Sequence, residues 1–147
     1  MAFLVNNRYR IRRNAQHEKV MQTLMDAKVF GTYRDILVIS AIIGFNNEEK
    51  EPIEKAASDG VLMQFFKGND YDLINLIAYA DTGEKDILNQ NEKYSIFEQY
   101  ANGGFPILLE LLDIVDDGTE IDRQKVLINY FNLITSGSLG IKETFDF

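Results

Sequence analysis

The sequence contains no cysteine and only one histidine, His17, among 147 residues. Without thiols there can be no disulfide framework, no thiolate zinc site and no cysteine nucleophile. The same lack fits a reducing compartment. His17 sits beside Glu18 with neither a nucleophile nor a metal-ligand partner near it in sequence. It therefore reads as a solvated surface side chain rather than a catalytic base. Long apolar runs are missing too: the longest, Ile36–Ile43, is interrupted by Ser40 and is less than half of the ~20 residues that span a bilayer. The opening Met1-Ala2-Phe3-Leu4-Val5 lacks both the charged region and the cleavage pattern of a signal peptide. These absences predict a soluble, cytoplasmic protein with no membrane contact. No Walker sequence and no Gly-x-Gly-x-x-Gly opens a helix, so a nucleotide-binding loop has no support.

Carboxylates are plentiful, but none falls in a spacing that announces chemistry. Asp113, Asp116, Asp117 and Glu120 lack the alternating ligands and central glycine of a calcium loop. They read as helix-end and turn residues, as does Asp81-Thr82-Gly83-Glu84. The expectation is no catalytic residue, no metal and no cofactor. A nuclease using scattered carboxylates and a divalent metal is the weakest of the alternatives.

Charge is unevenly spread. The overall −8 divides into +4 over residues 1–19 (Arg8, Arg10, Arg12, Arg13 and Lys19 against Glu18) and −12 over residues 20–147, where ten Lys/Arg face twenty-two Asp/Glu. Such asymmetry marks a basic arm, here residues 1–14, that touches either a polyanion or the acidic body of its own chain. Tyr9-Arg10-Ile11-Arg12 alternates polar and apolar residues as a short strand would. A basic strand followed by two helices is the order of ribbon–helix–helix DNA-binding dimers. Arg8, Arg10 and Arg12 would then share a strand face. Arg8, Arg10, Arg12 and Arg13 are the candidate DNA-binding residues.

The remainder reads as helices. Residues 15–30 carry Val20/Leu24 and Met21/Met25 on adjoining i,i+4 rows, with Gly31 as the stop. Thr32-Tyr33-Arg34-Asp35 resembles a capping box ahead of the apolar Ile36–Ile43, ended by Gly44; its β-branched content leaves a strand reading open. Phe45–Gly60 reads as a surface loop, and Val61–Phe66 is too short for periodicity to assign. Asp70 would cap a helix with Leu73, Leu76, Ile77 and Ala80 inward. A further helix over 92–101 should break at Asn102-Gly103-Gly104, and Pro106 should open the next. After a turn at Asp116-Asp117-Gly118, Thr119 should start a last helix with Leu127, Tyr130, Phe131 and Ile134 on one face. The tail from Ser136 should fray. The prediction is a single mainly α domain over 1–147, a bundle of five or six helices with a short N-terminal strand.

Three stretches carry a family likeness: Tyr33-Arg34-Asp35-Ile36-Leu37-Val38-Ile39-Ser40-Ala41-Ile42-Ile43-Gly44-Phe45, then Leu73-Ile74-Asn75-Leu76-Ile77-Ala78-Tyr79-Ala80, then Ile96-Phe97-Glu98-Gln99-Tyr100-Ala101-Asn102-Gly103-Gly104. Together, over about residues 10–112, they resemble the DNA phosphorothioation-associated protein 4 family, also called dnd system-associated protein 4. The most specific piece is Phe97–Gly104. The resemblance implies an accessory protein of bacterial systems that mark DNA with backbone sulfur and defend against phage. It supplies no catalytic residues. The expected partners are larger proteins of the same defence system, with DNA and a second copy of the chain as further candidates. An exposed apolar patch near Phe65-Phe66 or Phe105 would favour protein contact; those aromatics read equally well as core.

Overall fold

The computed structural model describes residues 3–114 and 121–136. It is mainly α: α1 Glu18–Asp26, α2 Tyr33–Asn46, α3 Gly68–Thr82, α4 Glu92–Leu111 and α5 Arg123–Ser136, with β1 Arg10–Ile11 and β2 Val61–Leu62. The two strands pair antiparallel, Arg10 opposite Leu62 and Ile11 opposite Val61. Ile11 faces the core and Arg10 faces out, as strand alternation requires. Short 3-10 turns precede α1 (Ala15–His17), follow β2 (Met63–Phe65) and precede α4 (Lys85–Asn89).

The centre of the fold is the crossing of α2 and α4. α2 starts where Thr32 Oγ1 accepts the Asp35 N–H at 3.2 Å, an N-cap that the sequence announces. It buries residues on nearly every face, among them Ile36, Leu37, Ile39, Ala41 and Ile43. Gly44 is not its stop: the helix runs on to Asn46. Gly103 and Gly104 likewise do not break a helix, because α4 is one 20-residue helix through both and through Pro106. These glycines serve close approach. A Cβ on Gly44 would lie 2.0 Å from the Tyr100 carbonyl oxygen, and one on Gly104 only 1.8 Å from that of Ser40. One on Gly103 would meet the Glu49 carbonyl oxygen at 2.1 Å. Backbone meets backbone at the crossing, and no larger residue fits.

The real helix ends use residues that rarely signal a stop. At α1, the Val29 N–H bonds to the Leu24 carbonyl and the Lys28 N–H to that of Met25, a Schellman motif with Lys28 at φ 59°. Glu48 (φ 57°) does the same after α2 and Asp113 (φ 58°) after α4. Gly31 is therefore not the end of α1. Among the helix ends within the described residues, α3 is the one that closes on glycine, Gly83 at φ 71°.

Two inward faces also differ from expectation. α3 begins at Gly68, and Asp70 is its third residue, accepting the Lys67 N–H at 2.7 Å. The helix buries Ile74, Ile77 and Ala78, while Leu76 and Ala80 are exposed. α5 buries Val126 and Leu133, half-buries Leu127 and Tyr130, and leaves Phe131 and Ile134 open. The expected turn at 116–118, the helix start at Thr119 and the tail beyond Ser136 lie outside the described residues. No helix among those described is long and apolar enough to cross a membrane.

Candidate functional site

The basic arm is fastened to the fold, and the four candidate arginines part company there. Arg12 grips Glu98 of α4: its backbone N–H reaches Oε2 at 2.7 Å, Nη2 reaches Oε1 at 2.7 Å and Nε spans both oxygens at 3.1 and 3.2 Å. Glu98 is 1% exposed. The pairing raises the Arg12 pKa, through the hydrogen bond first and the carboxylate charge second. Arg13 is buried, with its guanidinium carbon 4.1 Å from the centre of the Tyr33 ring and Nη2 donating to the Asp59 carbonyl at 2.9 Å. Its Nε and Nη1 find no hydrogen-bond partner. Arg8 and Arg10 are exposed. The expected shared strand face for Arg8, Arg10 and Arg12 is not present. The strand covers only Arg10–Ile11, the chain turns just before it, where the Tyr9 N–H bonds to the Asn6 carbonyl, and Glu98 holds Arg12.

Other long-range bonds hold the arm. The Asn6 N–H donates to the Tyr94 hydroxyl at 2.9 Å. Lys93, almost wholly buried, donates to the Leu4 carbonyl at 2.5 Å and to Asn75 Oδ1 and the Leu88 carbonyl at 2.8 Å each. Three neutral acceptors satisfy the ammonium, and burial lowers its pKa.

Around Arg10 a cleft of about 450 Å³ opens between the strand pair, the start of α2 and the residues ahead of α3. Val61, Leu62 and Phe65 line it together with Tyr33, while Arg10, Arg34 and Lys67 supply cations. Phe65 is 63% exposed whereas Phe66 and Phe105 are buried. Arg34 is locked in place, Nε and Nη2 each 2.7 Å from an Asp70 oxygen and Nη1 2.6 Å from Asp35. Phe65 was one of two adjacent aromatics with nothing in sequence to separate them. Arg34, Tyr33 and Lys67 carried no signal, because they come together only in three dimensions.

Two further constellations sit on other faces. A groove of about 540 Å³ holds His17 beside Glu49, Glu51, Glu54 and Asn102. His17 is not a freely solvated side chain: its ring lies 4.8 Å from that of Phe105, Nδ1 is buried without a partner, and burial lowers its pKa. Near the end of α3, the Tyr100 hydroxyl donates to Asp81 Oδ1 at 2.6 Å and Lys50 to Oδ2 at 2.8 Å. Burial, then the Asp81 bond, pushes Tyr100 up to about 12, which unsuits it as a proton donor or nucleophile near neutrality. No group of three or more His, Asp or Glu side chains gathers as metal ligands among the described residues.

What the fold and these surfaces define is a mainly helical protein with a short strand pair, a strapped basic arm and several open clefts. The chain belongs to the family of DNA sulphur modification system-associated protein 4, whose model matches residues 10–133. Its family description associates it with a DNA sulphur modification system. No curated protein and no solved structure matches the chain.

Proposed function

We propose that this chain is a non-enzymatic accessory subunit of a bacterial DNA phosphorothioation-linked modification and restriction system, working in phage defence by protein–protein contact. The outward face of α5 carries this reading. Ile128 and Phe131 are each 61% exposed there and Ile134 48%. They form an apolar stripe at helical spacing on a helix whose opposite face buries Val126 and Leu133. Beside it runs a groove of about 330 Å³ lined by Val29, Val38, Ile42, Tyr130 and Ile134. Contiguous exposed apolar surface of this kind marks an interaction site. The net charge of −8 favours a partner with a cationic rim, which would act mainly on association rate and specificity.

The test is co-purification of the tagged chain with the larger proteins of the same system, beside Ile128→Glu and Phe131→Glu variants. Both substitutions are on the surface, so circular dichroism should be unchanged while association falls at least tenfold. Undiminished association of both variants would refute docking through α5. Gel filtration of the isolated chain tells whether a second copy occupies the stripe instead.

A further inference from the structure

We propose that the Arg10–Phe65–Lys67 cleft binds a nucleotide unit, the base against the aromatic wall and the phosphate between Arg10 and Lys67, neither of which is in an ion pair among the described residues. The inference goes beyond the docking role of α5 and does not depend on it.

Three observations lead there. First, the cleft gathers unspent positive charge on an acidic protein. Of the guanidinium's five donors, Arg10 commits only Nη1 among the described residues, to the Gly60 carbonyl at 3.2 Å. Among the described residues the Lys67 ammonium makes no hydrogen bond or ion pair. Arg34, by contrast, is held by two carboxylates, Asp70 and Asp35, the second of which also lines the cleft, so it acts as a rigid wall and adds no net positive charge. Second, the walls are apolar and aromatic. Phe65, in that lining, is 63% exposed, and covering its ring would remove apolar surface from water. Third, Tyr33 is immobilised: Arg13 covers one ring face at 4.1 Å and the hydroxyl donates to Gln22 at 2.8 Å. Half-buried and fixed in this way, Tyr33 contributes to the lining with little side-chain entropy left to lose on binding.

Two cations beside two aromatic rings form the combination that takes a base by stacking and its phosphate by charge. A paired duplex keeps its bases stacked inside, so an unpaired strand or a free mononucleotide should bind better. Both share the recognised chemistry; the cleft, at about 450 Å³, is within the usual range for one ligand of that size.

The experiment is fluorescence polarisation of a labelled single-stranded DNA 12-mer on the full chain at two salt concentrations. Unlabelled duplex, a mononucleotide and an acidic, aromatic peptide serve as competitors. Expected is binding that weakens severalfold between 50 and 200 mM salt, with the single strand competing better than duplex. Phe65→Ala should weaken it about tenfold, and Arg10→Ala with Lys67→Ala at least as much. Arg8→Ala, outside the cleft, should change it little. Competition by the mononucleotide assigns the cleft to a single unit; competition by longer strands alone assigns it to nucleic acid, and both sustain the proposal. Absence of binding at low salt, binding indifferent to Phe65→Ala and the cation pair, or preferential displacement by the peptide would each overturn it.

Discussion

Arg12 and Glu98 show how little a residue's type says about its task. The same guanidinium chemistry that suits a phosphate is here directed at a carboxylate that the fold has taken out of water, with three side-chain bonds and one backbone bond between them. Removing the Arg12 side chain would leave Glu98 buried with its three guanidinium bonds lost and the backbone N–H of residue 12 still donating to it. Arg12→Ala should therefore destabilise the protein by about 2–3 kcal/mol, less than the full penalty of a deeply buried pair because the arginine side chain is itself 51% exposed. Urea unfolding measures this, and a loss below about 0.5 kcal/mol would mean that water replaces the guanidinium. Substituting all four arm arginines together thus confounds stability with binding; only Arg8 and Arg10 can be changed cleanly. His17 offers a second test at this scale. Burial lowers its pKa, so the unfolded chain binds the proton first as the pH falls. Stability should drop as the solution is acidified from the ordinary histidine pKa, ~6.5, down to the depressed folded value, and level off below it. With no second histidine in the chain, His17→Gln should flatten the dependence of the urea midpoint between pH 7.5 and 5.5. An unchanged slope would assign it to carboxylates instead.

Elements were legible where periodicity and capping speak, and illegible where glycine has two meanings. Thr32 as a cap, the buried all-round character of α2 and the short strand near Arg10 were all readable. The glycines at 44, 103 and 104 looked like stops because a glycine is permissive in any conformation, and sequence does not distinguish a turn from a close approach. Conversely, Lys28, Glu48 and Asp113 end helices in the left-handed region, at a conformational cost that local sequence hides. The crossing gives a sharp prediction. Gly44→Ala or Gly104→Ala must push backbone away from backbone, so each should cost about 3 kcal/mol or more, or prevent folding. Gly68→Ala, at the start of α3 with nothing within 4 Å of the added carbon, should instead stabilise by roughly 0.4–1 kcal/mol. Thermal melts of the three variants decide this, and a Gly104→Ala variant as stable as the parent would mean that the helices are not in backbone contact. On α3 and α5 the apolar positions outnumber those the core can take, so Leu76, Phe131 and Ile134 could not be sorted into inside and outside from spacing alone. The same ambiguity hid Phe65, and with it the cleft.

At the scale of the whole molecule, the segregation of charge was visible at once, but it permitted both an arm reaching for a polyanion and an arm folded on its own body. In the structure Arg12 is bonded to Glu98 and Arg13 is buried, while Arg8 and Arg10 stay on the surface. Association with a DNA sulphur modification system could be inferred from sequence through the Phe97–Gly104 stretch, in which Glu98 straps the arm, Gly104 admits α2 and Gly103 admits the backbone at Glu49. The strap also orders events in time. Arg12 is separated from Glu98 by 86 positions, and Leu4 from Lys93 by 89. At ~5–20 residues per second, a growing chain makes the basic arm roughly five to twenty seconds before its anchor exists. The arm is thus synthesised well before it can be secured, and a ribosome stalled before α4 would hold a chain whose arginines are still free for a polyanion.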